Sequence, residues 1–507
     1  MPQALEDMSP EEGRRTDYTT VDRKEIDTNF GRSMLEEQRA TYHSMTGVQI
    51  DKRIATYVQV RHLQRSFPLP NTSASMVARR IHWSLITVYQ RIFGIVFLAN
   101  MIALASFISR LSSQSRMPAY ESAITAAAAN LCTGVVMRNE HVVNILFRLA
   151  VRLPLRTPLC VRKRAAKIYS YGGVHSSTGV AGSIWYLVYS GLIAKQHISR
   201  PGSGFGIVLA TGFTVILLLL ILTLAHPSLR RRLHDHFELS HRFAGWAVVA
   251  CLWLQIILLV FPQREAHHRT FVKILLATPS FWFLLVTTLC ILYPWTRLRS
   301  RKVRFEPLSK HAVFLHFEYT NNMETGVTIR LTDAPLRETH SFATIPNYRG
   351  AGGFSILMSN AGDWTEKIMT DPPDRLWIRG APTFGVIRVA LMFQPLLVIA
   401  TGSGIGPCLS LLQNHRECQM RVLWSVRSPR TTYGDDVINA VIHADPEAVI
   451  IDTEKTGRGD LVALAYSTFR QSGAEAAVII SNATATDLVV KGLESRGIPI
   501  YGPIFDS

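Results

Sequence analysis

Charge is scarce in this chain. Of its 507 residues only 18% are charged, against about a quarter in soluble proteins. Acidic residues nearly vanish from the middle. Residues 81–300 carry 5 Asp/Glu against 22 Lys/Arg, net +17, while residues 1–80 carry 11 against 12 and residues 301–507 carry 21 against 20. The basic excess therefore sits in the most apolar block, which excludes a uniformly basic nucleic-acid binder. Cysteine is scarce too. Cys132, Cys160, Cys251, Cys290, Cys408 and Cys418 show no framework spacing, which excludes a secreted disulfide scaffold. There is no internal repeat and no low-complexity tract. Met1 to Arg15 is polar and acidic and lacks the apolar core of a signal peptide.

What the middle block has is long apolar runs. A transmembrane helix needs about 20 mostly apolar residues. Leu85 to Ile108, Ser170 to Ala194, Phe205 to Ala225, Phe243 to Phe261 and Phe271 to Tyr293 meet that need. Ser122 to Phe147 is counted as a sixth, although its apolar stretch ends near Met137. Six spans put both ends of the block on one side. Seven basic residues lie between Arg148 and Lys167, with further arginines at 230–232, 242, 297, 299, 301 and 304. Positive loops stay cytoplasmic, so the expectation is a multi-pass protein with both termini cytoplasmic, its basic loops touching lipid headgroups. The plasma membrane is favoured over internal ones. Residues 1–80 alternate in charge without apolar periodicity and are expected to form a mostly disordered cytoplasmic tail with some helical pieces.

Beyond residue 300 the pattern changes twice. Residues 301–394 hold short alternating runs, such as Val313-Leu315-Phe317 and Val327-Ile329-Leu331, separated by Asn and Gly turns. That pattern predicts a small antiparallel β-barrel. Residues 395–507 open with the apolar run Leu396 to Ala400, then Gly402-Ser403-Gly404-Ile405-Gly406-Pro407, then a helix-like stretch. Strand, glycine turn, helix and strand predict an α/β nucleotide-binding domain. Glycines let backbone approach a pyrophosphate, and a helix N-terminus favours its charge; a plain tight turn would read the same.

In this order the motifs resemble the ferredoxin–NADP reductase superfamily in its membrane-attached form, that of ferric reductases and NADPH oxidases, and within it the fungal TmpA-like membrane flavoproteins. His340-Ser341-Phe342-Ala343-Thr344 stands where those families read His-Pro-Phe-Thr. Gly362-Asp363-Trp364-Thr365 matches a Gly-x-Trp-Thr segment, and Gly380 to Phe384-Gly385 is similar to a Pro-aromatic-Gly turn at the flavin pyrophosphate. The resemblance implies FAD at His340, Phe342, Thr344, Gly362, Trp364, Thr365, Gly380, Phe384 and Gly385. Phe505 lies where relatives place an aromatic over the flavin ring, or is a buried anchor. It implies NADPH or NADH at Thr401, Gly402, Gly404, Gly406, Pro407, Arg427, Ser428 and Ser481. Arg427 would pair with a 2′-phosphate, or is an exposed loop arginine. The family's Cys-Gly beside the hydride path is absent; Ser481-Asn482-Ala483 occupies the place.

The same resemblance implies two b-type haems, held by paired histidines 13 or 14 residues apart on the third and fifth helices. Only His175 and His241 stand at such places. Val188 and Tyr189 follow the first at that distance, and Leu254 and Gln255 the second. One inner haem between His175 and His241 stays open, beside a haem-free bundle. The expected protein is a six-helix transmembrane bundle, an FAD-binding antiparallel β-barrel and an α/β nucleotide-binding domain. It would pass electrons from NAD(P)H through FAD to an acceptor the sequence does not reveal. The rivals are a non-catalytic signalling or scaffold protein with a degenerate reductase fold, and a haem-containing ferric reductase or superoxide-generating oxidase. Oligomeric state is not legible.

Overall fold

The structure, a computed structural model, describes residues 47–71, 87–111, 119–199, 204–267, 270–320, 323–347, 352–414 and 418–504. The chain opens with α1 (Gly47–Arg53), β1 (Ile54–Ala55) and α2 (Tyr57–Ser66). The apolar block follows: α3 (Val88–Arg110), α4 (Ala119–Val136), α5 (Glu140–Val151), α6 (Leu159–Ala165), α7 (Gly172–Ser199), α8 (Phe205–Ala225), α9 (Pro227–Arg232), α10 (His234–His267), α11 (Phe271–Ala277) and α12 (Pro279–Thr296). Helix α4 packs against α7 and α12, α7 against α3 and α8, and α8 against α10.

Four helical stretches, Val88–Arg110, Phe205–Ala225, Asp235–Gln263 and Pro279–Thr296, are long and apolar enough to cross a membrane. The other two expected spans form helices outside that set. Ser122 to Phe147 is interrupted: α4 ends at Val136, and Asn139 caps α5 by accepting from the His141 N–H at 3.0 Å. Ser170 to Ala194 becomes α7, whose first half is Gly- and Ser-rich and correspondingly less apolar.

Seven antiparallel strands come next, in the order β5-β4-β8-β2-β3-β7-β6. They are β2 (Arg299–Pro307), β3 (Ala312–Phe317), β4 (Val327–Thr332), β5 (His340–Ala343), β6 (Ile345–Pro346), β7 (Phe354–Ser359) and β8 (Arg375–Phe384), with α13 (Asp363–Thr370) before β8. Alternation does the work here: Val313, Leu315 and Phe317 turn inward and are buried.

The last part is a parallel sheet in the order β1-β11-β10-β9-β12-β13. Its elements are β9 (Leu396–Thr401), α14 (Ile405–Asn414), β10 (Met420–Val426), α15 (Pro429–Ala444), β11 (Val449–Asp452), α16 (Thr453–Thr456), α17 (Leu461–Ser472), β12 (Ala476–Ile480), α18 (Ala483–Glu494) and β13 (Ile500–Tyr501). Leu397, Val398, Ile399 and Ala400 are all 0% exposed, as a central strand covered on both faces requires.

Residues 47–71 depart from the expected tail. Strand β1 pairs in parallel with β11, Ile54 opposite Ile450, and so becomes the sheet's edge. Ile50, Ile54 and Val60 are buried against the parallel-sheet part. Arg53 donates to the Pro446 carbonyl at 2.9 Å, and Arg496 to that of Pro70 at 2.9 Å. The signal lay in Thr56-x-x-Gln59, a capping box that opens α2. Residues 1–46 and 72–80 lie outside the described residues.

The segment between α5 and α7 binds the two sheets to the apolar helices. Arg162 on α6 is 4% exposed. It donates to the Met392 carbonyl at 2.7 Å and to both Glu475 oxygens at 2.8 and 3.1 Å, and its guanidinium lies over Phe393. Phe393 lies just before β9, where the chain passes from the antiparallel to the parallel sheet, and Glu475 just before β12.

Candidate functional site

The glycine loop forms at the C-terminal end of β9. Gly402 takes φ +51°, a turn that favours glycine. Its carbonyl accepts from the Trp424 indole N–H at 3.0 Å. A Cβ on Gly404 would lie 2.1 Å from the Ile480 carbonyl oxygen, so only glycine lets the loop lie against β12. Pro407 sits in the first turn of α14, where its missing N–H costs nothing. Thr401 and Ser481 share a hydroxyl hydrogen bond, and Ser359 of β7 donates to Ser403 at 2.9 Å. Gly406 packs on Leu357. The loop thus touches the antiparallel sheet directly.

Arg427 and Ser428 lie at the same edge, just past β10. Ser428 has φ +44° and donates its N–H to Asp452 at 2.9 Å. Arg427 pairs with Glu454 at 3.3 Å, and both remain largely exposed. Thr401, Gly402, Arg427, Ser428 and Ser481 therefore gather at the carboxyl ends of neighbouring parallel strands, where open α/β sheets take their ligands.

The flavin-type segments divide into two groups. His340 and Phe342, two apart on β5, face Trp364 with ring centroids 4.4 and 5.9 Å away. Thr344 and Thr365 have structural partners. Thr344 donates its hydroxyl to the Val327 carbonyl at 3.1 Å, and Thr365 accepts from the Ala361 and Gly362 N–H groups at 2.9 and 3.0 Å. The expected turn at Gly380 to Gly385 is mostly strand, the end of β8, and it is docked on α5. Asn144 donates to the Pro382 carbonyl and accepts from the Phe384 N–H, each at 2.9 Å. Gly380, φ +76°, lies so close to Glu140 that a Cβ would sit 2.4 Å from its Oε1. Phe505 lies outside the described residues.

Two arginines were missed by the sequence reading. Arg330 on β4 and Arg379 on β8 are direct cross-strand partners. Like charges opposite one another destabilise a sheet, so the pair calls for an anion. Glu140 supplies one carboxylate: its Oε1 accepts from Arg330 at 3.0 Å, and it is 1% exposed. Its Oε2 and the Arg379 Nε have no hydrogen-bond partner among the described residues. Burial, then the nearby Arg330 and Arg242 charges, push Arg379 down to about 10. Only the strand register could have revealed this pair. Replacing Glu140 with alanine is expected to destabilise the protein by about 3 kcal/mol, the cost of stranding a buried charge. Added pyrophosphate, as an anion probe, should raise its melting temperature more than that of the unaltered protein, and equal shifts in a thermal denaturation assay would refute the anion reading.

A cavity of about 2980 Å³ runs from the apolar helices to both sheets, lined among others by His175, His241, Arg330, Arg379, Lys167 and Tyr501. Ordinary ligand cavities hold roughly 300–1,000 Å³, so this one has room for more than one large cofactor. His175 and His241 face each other, ring centroids 6.0 Å apart and planes at 65°. Two imidazole–metal bonds of about 2 Å each, plus the ring radii, require roughly that separation. His175 Nδ1 is bound to the Gly134 carbonyl at 2.9 Å, which leaves Nε2 as its ligating atom. Gly179 and Gly245, one turn beyond each histidine, have open space where a Cβ would point. The pair fits one haem iron. Among the described residues no group of three or more His, Cys, Asp or Glu side chains could hold another metal.

The family profile described as adenylate-forming reductase 03009, C-terminal domain, matches residues 386–507. Adenylate-forming reductase 06235 of Coprinopsis cinerea is 39% identical over 442 residues, covering 87% of this chain and 42% of the relative. Adenylate-forming reductase 03009 of the same organism is 38% identical over 442 residues, covering 86% and 42%. Among solved structures, a ferredoxin–NADP+ reductase from Plasmodium falciparum aligns at a TM-score of 0.33 and 14% identity, covering 42% of this chain and 98% of its own. A flavohemoglobin from Malassezia yamatoensis with bound FAD and heme aligns at 0.35 and 13%, covering 76% and 98%. Over most of its own length, then, the chain is similar to less than half of two fungal adenylate-forming reductases.

Proposed function

We propose that this chain is an integral membrane flavoprotein oxidoreductase that takes electrons from NAD(P)H into FAD and hands them to an acceptor. The observation that carries this reading is the glycine loop of β9 held against β7 of the antiparallel sheet, with Ser403 bound to Ser359. That contact joins a dinucleotide-type loop to a sheet bearing flavin-type segments. The curated relatives are named as reductases. Bound FAD would supply the step between two-electron and one-electron chemistry. Arg330 and Arg379 would hold its diphosphate by charge-assisted hydrogen bonds. The loop of Gly402 and Gly404 would let the coenzyme's pyrophosphate approach the backbone, and Thr401 with Ser481 would present hydroxyls at the hydride path. Four helices long and apolar enough to cross a membrane support membrane insertion; six spans with the basic loops kept on the reductase side would put both termini there, at the plasma membrane.

One b-type haem at His175 and His241 belongs to the same proposal, carried by their facing rings. The visible spectrum of the purified protein tests both cofactors. Flavin bands that NAD(P)H bleaches are expected, together with a Soret band lost in His175→Ala. Protein without flavin that oxidises no NAD(P)H would sink the reading. The non-catalytic alternative is favoured by Ser481 standing where the family keeps cysteine, and flavin that binds but never bleaches would support it. A ferric reductase or superoxide-generating oxidase would need electrons to pass beyond the His175–His241 level.

A further inference from the structure

Deeper along α7 and α10 lie Tyr189 and Gln255, each fourteen residues on from His175 and His241. Fourteen residues advance about 21 Å and return to nearly the same helix face. A second haem would need a ligand from each helix here; Tyr189, whose buried hydroxyl has no hydrogen-bond partner among the described residues, could serve only as a weak one, and Gln255 is no haem ligand, so the pair does not fit. Tyr189 and Gln255 are both 0% exposed. The Tyr186 hydroxyl donates to Gln255 Oε1 at 2.9 Å. Gln255 Nε2 donates to Thr214 Oγ1 at 3.1 Å and to the Ala210 carbonyl at 3.4 Å. The Tyr186 and Tyr189 rings lie 5.4 Å apart. Trp185, Val248, Leu252 and Ile256 pack around them. The large cavity is lined on α7 no deeper than Ser183 and on α10 no deeper than Val249. Beyond that level the helices are in contact through side chains.

We infer that this Tyr-Gln-Thr plug closes the far half of the apolar helices to a second haem, so that electrons leave the protein on the reductase side. The inference rests on the proposed flow from NAD(P)H. The hydrogen bonds explain why the plug holds: in hydrocarbon, the Gln255 amide and the Tyr186 hydroxyl must pair with each other or lose their partners. About 30 Å of hydrocarbon separates the two faces, and the cavity reaches only the reductase-side part. The acceptor is then a molecule that comes to the flavin or to the His175–His241 level from that side, and a chelate confined to the opposite face is excluded.

Two measurements on the full chain test this. The first is the haem-to-chain ratio of protein expressed with excess haem. A ratio of one or less is expected, and a ratio of two would overturn the inference. The second uses vesicles with the reductase domains outside, NAD(P)H added outside, and ferricyanide either outside or trapped within. Outside ferricyanide should be reduced and trapped ferricyanide should not; reduction of the trapped dye at a comparable rate overturns the inference. Absence of NAD(P)H oxidation with either dye would count against the proposed function, and the haem ratio would still decide the plug.

Discussion

Changing Gly404 to alanine is expected to slow flavin reduction by NAD(P)H by at least about 100-fold, the scale on which a 1 Å misplacement acts. The added Cβ would lie 2.1 Å from the Ile480 oxygen and 2.8 Å from its carbonyl carbon. These are backbone atoms of β12, paired along the strand with β9, and they cannot rotate away. The loop must therefore lift from the sheet. Lifting it drags α14 and loosens the Ser403–Ser359 contact with β7. Overpacking of this kind costs roughly 1–3 kcal/mol or more, so bound flavin should be measured alongside the rate. Retained flavin with lost bleaching assigns the defect to the coenzyme loop. Gly94 is the control: a Cβ there meets nothing within 4 Å, and Gly94→Ala should leave both readings unchanged.

Arg162→Ala should cost about 3 kcal/mol, the low end for breaking a buried pair, because Glu475 keeps 30% exposure. Arg162 satisfies the Met392 and Thr157 carbonyls as well as Glu475. Its loss unpins the segment before α7 from the chain just ahead of β9 and β12. A melting temperature lower by several degrees is expected. The latch is also sensitive to acid. Its hydrogen bond to Arg162 holds the Glu475 carboxyl below its ordinary value. A depressed carboxyl contributes stability that is full above the unfolded value of about 4.3 and is lost as pH falls through the lower folded one. Stability measured between pH 6 and pH 3 should therefore fall less steeply in Arg162→Ala than in the unaltered protein. Parallel curves would show that the pair does not act as a latch.

The two sheets were legible because their cues are local. Apolar runs such as Leu396 to Ala400 predict central parallel strands, and Gly402 to Pro407 follows one directly. Periodicity also located the long helices, yet it twice ran two together: Ser122 to Phe147 spans α4 and α5, and Phe271 to Tyr293 spans α11 and α12, which part at Thr278. The polar stretch Arg138-Asn139-Glu140 ends α4 and starts α5, and Glu140 then reaches the antiparallel sheet. Arg330 and Arg379 stayed hidden because each is an ordinary strand arginine until register sets them side by side. Residues 47–71 were misread because β1 contributes only two residues and its stability comes from β11, some 400 positions away. Thr344 and Thr365 were expected to contact a flavin, but their hydroxyls serve the backbone.

Anaerobic addition of NAD(P)H to the purified flavin-loaded protein, followed by absorbance, bears most directly on the proposed function. Rapid loss of the flavin band, and its persistence in Gly404→Ala, is the result expected. A flavin that stays oxidised in the unaltered protein under excess NADH and excess NADPH would contradict it.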